Sequence, residues 1–146
     1  MKKIGIGIVM ILIFVLCNCQ KKEQTDISDY KNDFTKAQEI TVISAETSQI
    51  IKTITDKAKI DEFILALEIE NWEFASLPDH AAKIGSFDFS QEQTITFGKT
   101  NHDGTLSHMA TITLYDSSYI SIEFLGINTT FKVSGNTADF LDGYFE

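Results

Sequence analysis

The sequence is short of most things that staple or punctuate a chain. Its 146 residues include two cysteines, Cys17 and Cys19, and a single proline, Pro78. With no cysteine beyond residue 19, the bulk of the chain has no disulfide framework and no paired-cysteine zinc pattern. One proline and eight glycines exclude linker-like and collagen-like classes. Positive charge is also scarce, with 12 basic residues against 21 acidic ones and a formal net charge of -9. No basic stripe is present to neutralise phosphates, which argues against a nucleic-acid partner. The ordinary consequence of the acidity is solubility. No apolar run reaches the eighteen or so residues needed to cross a bilayer. The length gives room for one domain with a modest core.

What is present begins with a processing signal. Lys2 and Lys3 form a positive n-region, and Ile4 to Leu16 is an unbroken apolar or glycine stretch, the length of a secretory h-region. Polarity rises abruptly at Gln20. The segment Leu16-Cys17-Asn18-Cys19 resembles the cleavage motif of bacterial lipoprotein precursors at its first and last positions. It departs at Asn18, where a smaller residue is usual. The resemblance implies that residues 1–18 are a signal peptide and that Cys19 becomes the lipidated N-terminus. Two acyl chains give stable anchoring where one does not, so the expected setting is the extracytoplasmic face of the cell membrane. Loss of Lys2 and Lys3 leaves a mature charge of -11, ten basic residues against 21 acidic.

Residues 19–38 read as the lipidated cysteine and a polar tether, and 39–146 as a single α+β domain. Gln20 to Lys36 is nearly free of aliphatics and is expected to be a flexible spacer. A coil of that length reaches very roughly 20–25 Å, enough to hold the domain off the headgroups. The alternative is a short helix with Tyr30 and Phe34 on one face.

Within the domain, hydrophobic periodicity does most of the work. Glu39 to Ser44 and Gln49 to Thr55 alternate as two strands, with Ala45 to Ser48 as their turn. Asp56 to Glu68 reads as the main helix, since Ile60, Phe63, Ile64 and Leu67 follow the i, i+3, i+4, i+7 pattern. Thr55 or Asp56 is its cap. Glu70 to Leu77 reads as a further strand and residues 77–80 as a loop, because Pro78 cannot join a ladder. Ile84 to Phe89 is a short strand.

From Gln93 to Val133 a period of two holds over four segments. Ile95 and Phe97 belong to the first. Ala110, Ile112 and Leu114, then Ile120, Ile122 and Phe124, then Ile127, Phe131 and Val133 mark one apolar face. Met109, Thr111, Thr113, Tyr115, Tyr119, Ser121 and Glu123 mark the wet face. This is an antiparallel meander. Thr137, Phe140, Leu141 and Tyr144 repeat the helical pattern in a short C-terminal helix that must dock on the core. Strands and helices are segregated, so the expected class is α+β: an antiparallel sheet with one main helix on one face and a short C-terminal helix.

The chemistry-bearing residues form no recognised constellation. His102 and His108 flank a predicted hairpin near Asp103, and His80 follows Asp79 elsewhere, yet there is no HExxH pattern. There is no G-x-S-x-G elbow, and Gly85-Ser86 near His80 is not one. Asp61-Glu62 is explained as a solvated helix face near its N-terminus. No catalytic residue, metal site or cofactor is expected. The remaining candidates make a binding surface: Met109, Thr111, Tyr115 and Tyr119 on the wet face, and Trp72, Pro78 and His80 in and beside the loop. Each has an ordinary explanation, namely β-propensity for the Thr and Tyr set and half-burial for Trp72.

The layout as a whole is similar to small lipoproteins of low-GC Gram-positive bacteria with a YhfM-like domain. The features that carry the likeness are Leu16 to Cys19, the tether, Ile54-Thr55-Asp56 opening the helix, Asn71-Trp72 after it, the Tyr119-Ile120 and Phe131-Lys132-Val133 strands, and the C-terminal helix. The resemblance implies a surface-anchored module and transfers no catalytic residue. The expected function is non-enzymatic binding of a protein or cell-envelope component. The alternative is a small-ligand or ion-binding module built on the Trp72–His80 loop or the His102–His108 hairpin.

Overall fold

A computed structural model describes residues 26–93 and 104–146. Residues 1–18, Cys19, the Ile95/Phe97 segment and His102 lie outside the described residues. Seven strands form one antiparallel sheet: β1 (Glu39–Ser44), β2 (Ile50–Ile54), β3 (Glu73–Phe74), β4 (Lys83–Glu92), β5 (Leu106–Tyr115), β6 (Tyr119–Phe124) and β7 (Ile127–Lys132). Their order across the sheet is β2-β1-β4-β5-β6-β7-β3. The helices are α1 (Ile27–Phe34), α2 (Lys57–Ala66) and α3 (Gly135–Asp142). The α+β class and the segregated order are as the periodicity predicts.

The meander occupies the centre because its strands are joined by short turns. The β6–β7 turn is Leu125-Gly126, at φ 51° and 78°, the positive pair that a two-residue type I′ hairpin requires. Leucine is a poor occupant of the first position. Crowding of Cβ against the carbonyl costs roughly 1–2 kcal/mol in the left-handed region. The β1–β2 hairpin adds to the β4 edge, Ile40 pairing with both Ile54 and Phe89. The chain then crosses from the β2 edge to the opposite edge, where β3 pairs with β7. Six strand spacings of about 4.8 Å separate those edges. Ten residues of α2 cover about 15 Å of that, and a 3-10 turn at Ile69–Asn71 carries the chain onward.

All three helices share one face of the sheet. Phe63 of α2 packs its ring against Phe87 and Phe89 of β4 at 5.2 and 5.9 Å between centroids. Phe34 of α1 meets Phe89 at 4.6 Å, and Tyr30 meets Phe131 of β7 at 5.9 Å. Phe140 and Tyr144, at and just beyond the end of α3, close on Phe63. The stripe Ile60, Phe63, Ile64 and Leu67 is wholly buried, as its spacing predicts.

The spacer expected over residues 20–36 is therefore not one in its second half. Asp26 caps α1, accepting from the Ser28 N–H, and Tyr30 and Phe34 are core residues. A helix of eight residues is not stable alone; burial of two aromatic rings holds it. Lys31 pairs with Glu70 at 3.3 Å and ties α1 to the 3-10 turn. Backbone hydrogen bonding and the Lys31 ammonium hold the exposed Glu70 carboxyl below its ordinary value.

The ends of α2 and α3 are joined by polar contacts. The Leu67 carbonyl accepts from the Trp72 indole at 2.7 Å and from the fully buried Thr137 hydroxyl at 3.3 Å. Ser134, the cap of α3, donates to Glu68 at 2.9 Å. Trp72, expected as a surface candidate, is 3% exposed and packs on Phe131. Its burial follows from its hydrogen bond: an orphan carbonyl at a helix C-terminus needs a donor, and the indole supplies one while filling the core. Among the described residues, no buried side-chain nitrogen or oxygen lacks a hydrogen-bond partner.

The open face of the sheet, a candidate functional site

Alternation sends every second side chain of the sheet away from the helices. Among the described residues no helix covers that second face. Strand register sets its side chains in rows. One row runs Thr53, Thr41, Asp88, Thr111, Glu123, Asn128 across six strands. The next runs Ile43, Ser86, Thr113, Ser121, Thr130. The third brings together Lys83, Tyr115, Tyr119 and Lys132. At about 4.8 Å per strand, the first row spans about 24 Å. Ser86 and Ser121 are buried at the floor, and the threonines and tyrosines around them are half-exposed except Thr53.

The centre of the face is a hydrogen-bonded chain of three side chains. Thr111 donates its hydroxyl proton to Asp88 Oδ1 at 2.7 Å. Its oxygen lies 2.9 Å from His108 Nε2. A hydroxyl has one proton, and Thr111 gives it to Asp88, so the imidazole Nε2 is the donor in this second bond. The order is carboxylate, hydroxyl, imidazole. That arrangement fixes the hydroxyl between two partners. It presents donors and acceptors in fixed positions.

A β-bulge explains why His108 belongs to this face. Phe89 pairs with Ala110, but the next residue, Ser90, pairs with His108. The extra residue is Met109. At a bulge the alternation of sides slips by one, so Met109 and Ala110 are both buried. Met109, expected on the wet face, is thus a core residue.

Of the candidate surface residues, the structure gathers Thr111, Tyr115 and Tyr119 on the open face. Pro78 and His80 lie in an exposed loop at the Tyr115 end. Asp116 clamps that loop, accepting from the Ala82 N–H through Oδ1 at 3.1 Å and donating its own N–H to the Ala82 carbonyl at 3.0 Å. Trp72 and Met109 are elsewhere, in the core. Sequence reading missed Asp88 and the partnership of His108 with Thr111. Asp88 is 23 positions from Thr111, and only strand pairing brings them together. A single polar residue between Phe87 and Phe89 was the available signal, and it says no more than that Asp88 points away from the core.

Among the described residues, no group of three or more His, Cys, Asp or Glu side chains is placed to hold a metal ion. No described helix is long and apolar enough to cross a membrane.

No family model and no curated protein matches this chain. Among solved structures, a thioesterase-like protein from Clostridium sporogenes ATCC 15579 aligns over 75% of this chain and 94% of its own, with 14% identity and a TM-score of 0.38. A likeness at that level carries no argument about activity.

Proposed function

We propose that this protein is a membrane-anchored extracytoplasmic lipoprotein whose folded domain is a non-catalytic module binding a protein or cell-envelope component through the open face. The observation that carries the binding half is the two-sided character of the sheet. Three helices crowd one face, while the other offers hydroxyl, amide, carboxylate and phenol groups in ordered rows. Exposed sheet faces of this composition suit recognition of an extended partner, since fixed rows of donors and acceptors match a repeating backbone. The central Asp88–Thr111–His108 chain adds donors and acceptors held in fixed positions to that surface. The anchoring half rests on the Leu16 to Cys19 motif and the apolar stretch before it. The likeness to small lipoproteins with a YhfM-like domain points the same way.

The test is sedimentation of the mature chain carrying Cys19→Ser, and so no lipid, with isolated cell-envelope fragments. A Thr113→Lys/Tyr119→Ser variant alters only half-exposed open-face positions. It is expected to bind at least about tenfold more weakly, the effect of losing one or two good contacts, with its melting temperature little changed. Equal sedimentation of both proteins would remove the open face from the binding site. Intact mass of the native protein checks the anchor, with a diacylglyceryl group on a chain beginning at Cys19 as the expected result.

A further inference from the structure

The exposed apolar side chains gather unevenly. Leu125 is 82% exposed and Ile127 67%, and with the half-buried Phe124 they form the tip of the β6–β7 hairpin. Leu125 holds left-handed backbone, φ 51°, where asparagine or aspartate sits more easily. The tip is therefore apolar against both hydration and backbone preference. The chain enters the domain at the same end. Tyr30 of α1 meets Phe124 edge-on at 6.4 Å between centroids. Asp26 caps that helix about 6 Å before Tyr30 along its axis, and Ile27 packs on the same core.

We propose that the Leu125–Ile127 tip is a wedge that inserts into the lipid surface and seats the domain on the membrane. This rests on the lipoprotein reading. The expected acylated Cys19 precedes Asp26 by seven residues, and seven residues span at most about 25 Å even when fully extended. With α1 docked, the anchor holds this end of the domain close to the headgroups, and an apolar tip at that end meets lipid before it meets another protein. Asp26, Asp29 and Glu123 are exposed nearby, so the contact is apolar and favours zwitterionic over anionic lipid.

The experiment uses the mature lipidated protein in phosphatidylcholine vesicles, with Leu125→Cys carrying an environment-sensitive fluorophore. Cys17 leaves with the signal peptide and Cys19 is acylated, so no other thiol competes. Leu65→Cys on α2 and Ile50→Cys on β2, at positions 69% and 64% exposed, are the controls. The expected result is a blue shift at position 125 and quenching by spin-labelled lipid several-fold stronger than at 65 or 50. Equal quenching at all three, on protein whose mass confirms the lipid, overturns the wedge and leaves the anchor standing. A native mass without lipid removes the anchor and the wedge together. A blue shift at 125 that grows with protein concentration in the absence of vesicles assigns the tip to self-association and also overturns the proposal.

A second variant separates this role from a structural one. Leu125→Asn is expected to melt at the same or a higher temperature, since asparagine suits the turn. It is also expected to pass to acceptor vesicles roughly tenfold faster, as loss of one buried leucine implies. A lower melting temperature with unchanged transfer makes Leu125 a structural residue and overturns the proposal.

Discussion

The two faces of this sheet are built from the same strands, residue by residue, yet they obey different constraints. On the covered face Ile40, Val42, Phe87, Phe89, Ile112, Leu114, Ile120 and Phe131 are all buried to within 1% exposure. Each is held by shape, because a packed interior tolerates neither a void nor an extra methyl. On the open face Thr41, Asp88, Thr111, Thr113, Tyr115 and Tyr119 are half-exposed. Their hydrogen bonds trade nearly evenly with water, so they contribute little to stability and remain available for recognition. The comparison teaches where substitutions should unfold the protein and where they should change only what it binds.

The largest expected effect is on the covered face. Phe63 touches Phe87, Phe89, Phe140 and Tyr144, so it joins α2, β4 and the C-terminal segment. Phe63→Ala should destabilise the domain by about 3–5 kcal/mol, read as a lower denaturation midpoint in urea. A loss under about 1 kcal/mol would mean that α2 is not the keystone of that face.

An intermediate effect is expected where the C-terminus closes on β4. A Cβ on Gly85 would stand 2.1 Å from the Phe145 ring and 2.8 Å from the Ile43 carbonyl. Backbone cannot yield as a flexible side-chain end can. Gly85→Ala should cost about 1–3 kcal/mol and release the residues after α3. Faster amide hydrogen exchange there, against unchanged exchange in β5 and β6, is the diagnostic readout.

The smallest effect belongs to the open face. Thr111→Val removes the hydroxyl that links Asp88 to His108 but keeps the β-branched shape. Stability should change by no more than about 0.5 kcal/mol, while the histidine ring loses its fixed orientation, visible as averaging of its NMR signals. A large destabilisation would show that the three-residue chain is structural and would weaken the case for the face as a recognition surface.

Much of the covered face was legible in the sequence. Ile40 and Val42 alternate in β1, whose ends fall where the pattern places them, Glu39–Ser44. The α2 stripe is read from four residues. The turn before β2, the loop at Pro78 and the short C-terminal helix follow from local chemistry. These features are legible because burial of one face writes a period of two or 3.6 into the chain. What was not legible depended on contacts across the chain. The spacing of Tyr30 and Phe34 offers a short helix only as the alternative to a spacer; space on the sheet beside Phe89 and Phe131 decides for the helix. Trp72 reads as an amphipathic ring and nothing in its neighbours says that a carbonyl five positions earlier will receive its N–H. The bulge at Met109 leaves no trace in the alternation, so the face of both Met109 and His108 was out of reach, and with it the link to Asp88.

By itself, then, the sequence determined the class of fold, the apolar side of each main element and the lack of any cysteine beyond residue 19, because these depend on composition and on the spacing of hydrophobic residues along the chain. Tertiary structure alone decided that α1 joins the core, that Trp72 and Met109 are interior, and that Asp88, Thr111 and His108 form one hydrogen-bonded chain on an uncovered face. The physical reason is register: which strand lies beside which, and where a single extra residue shifts the pairing, is settled by the whole sheet closing against its helices and not by any one segment's own preference.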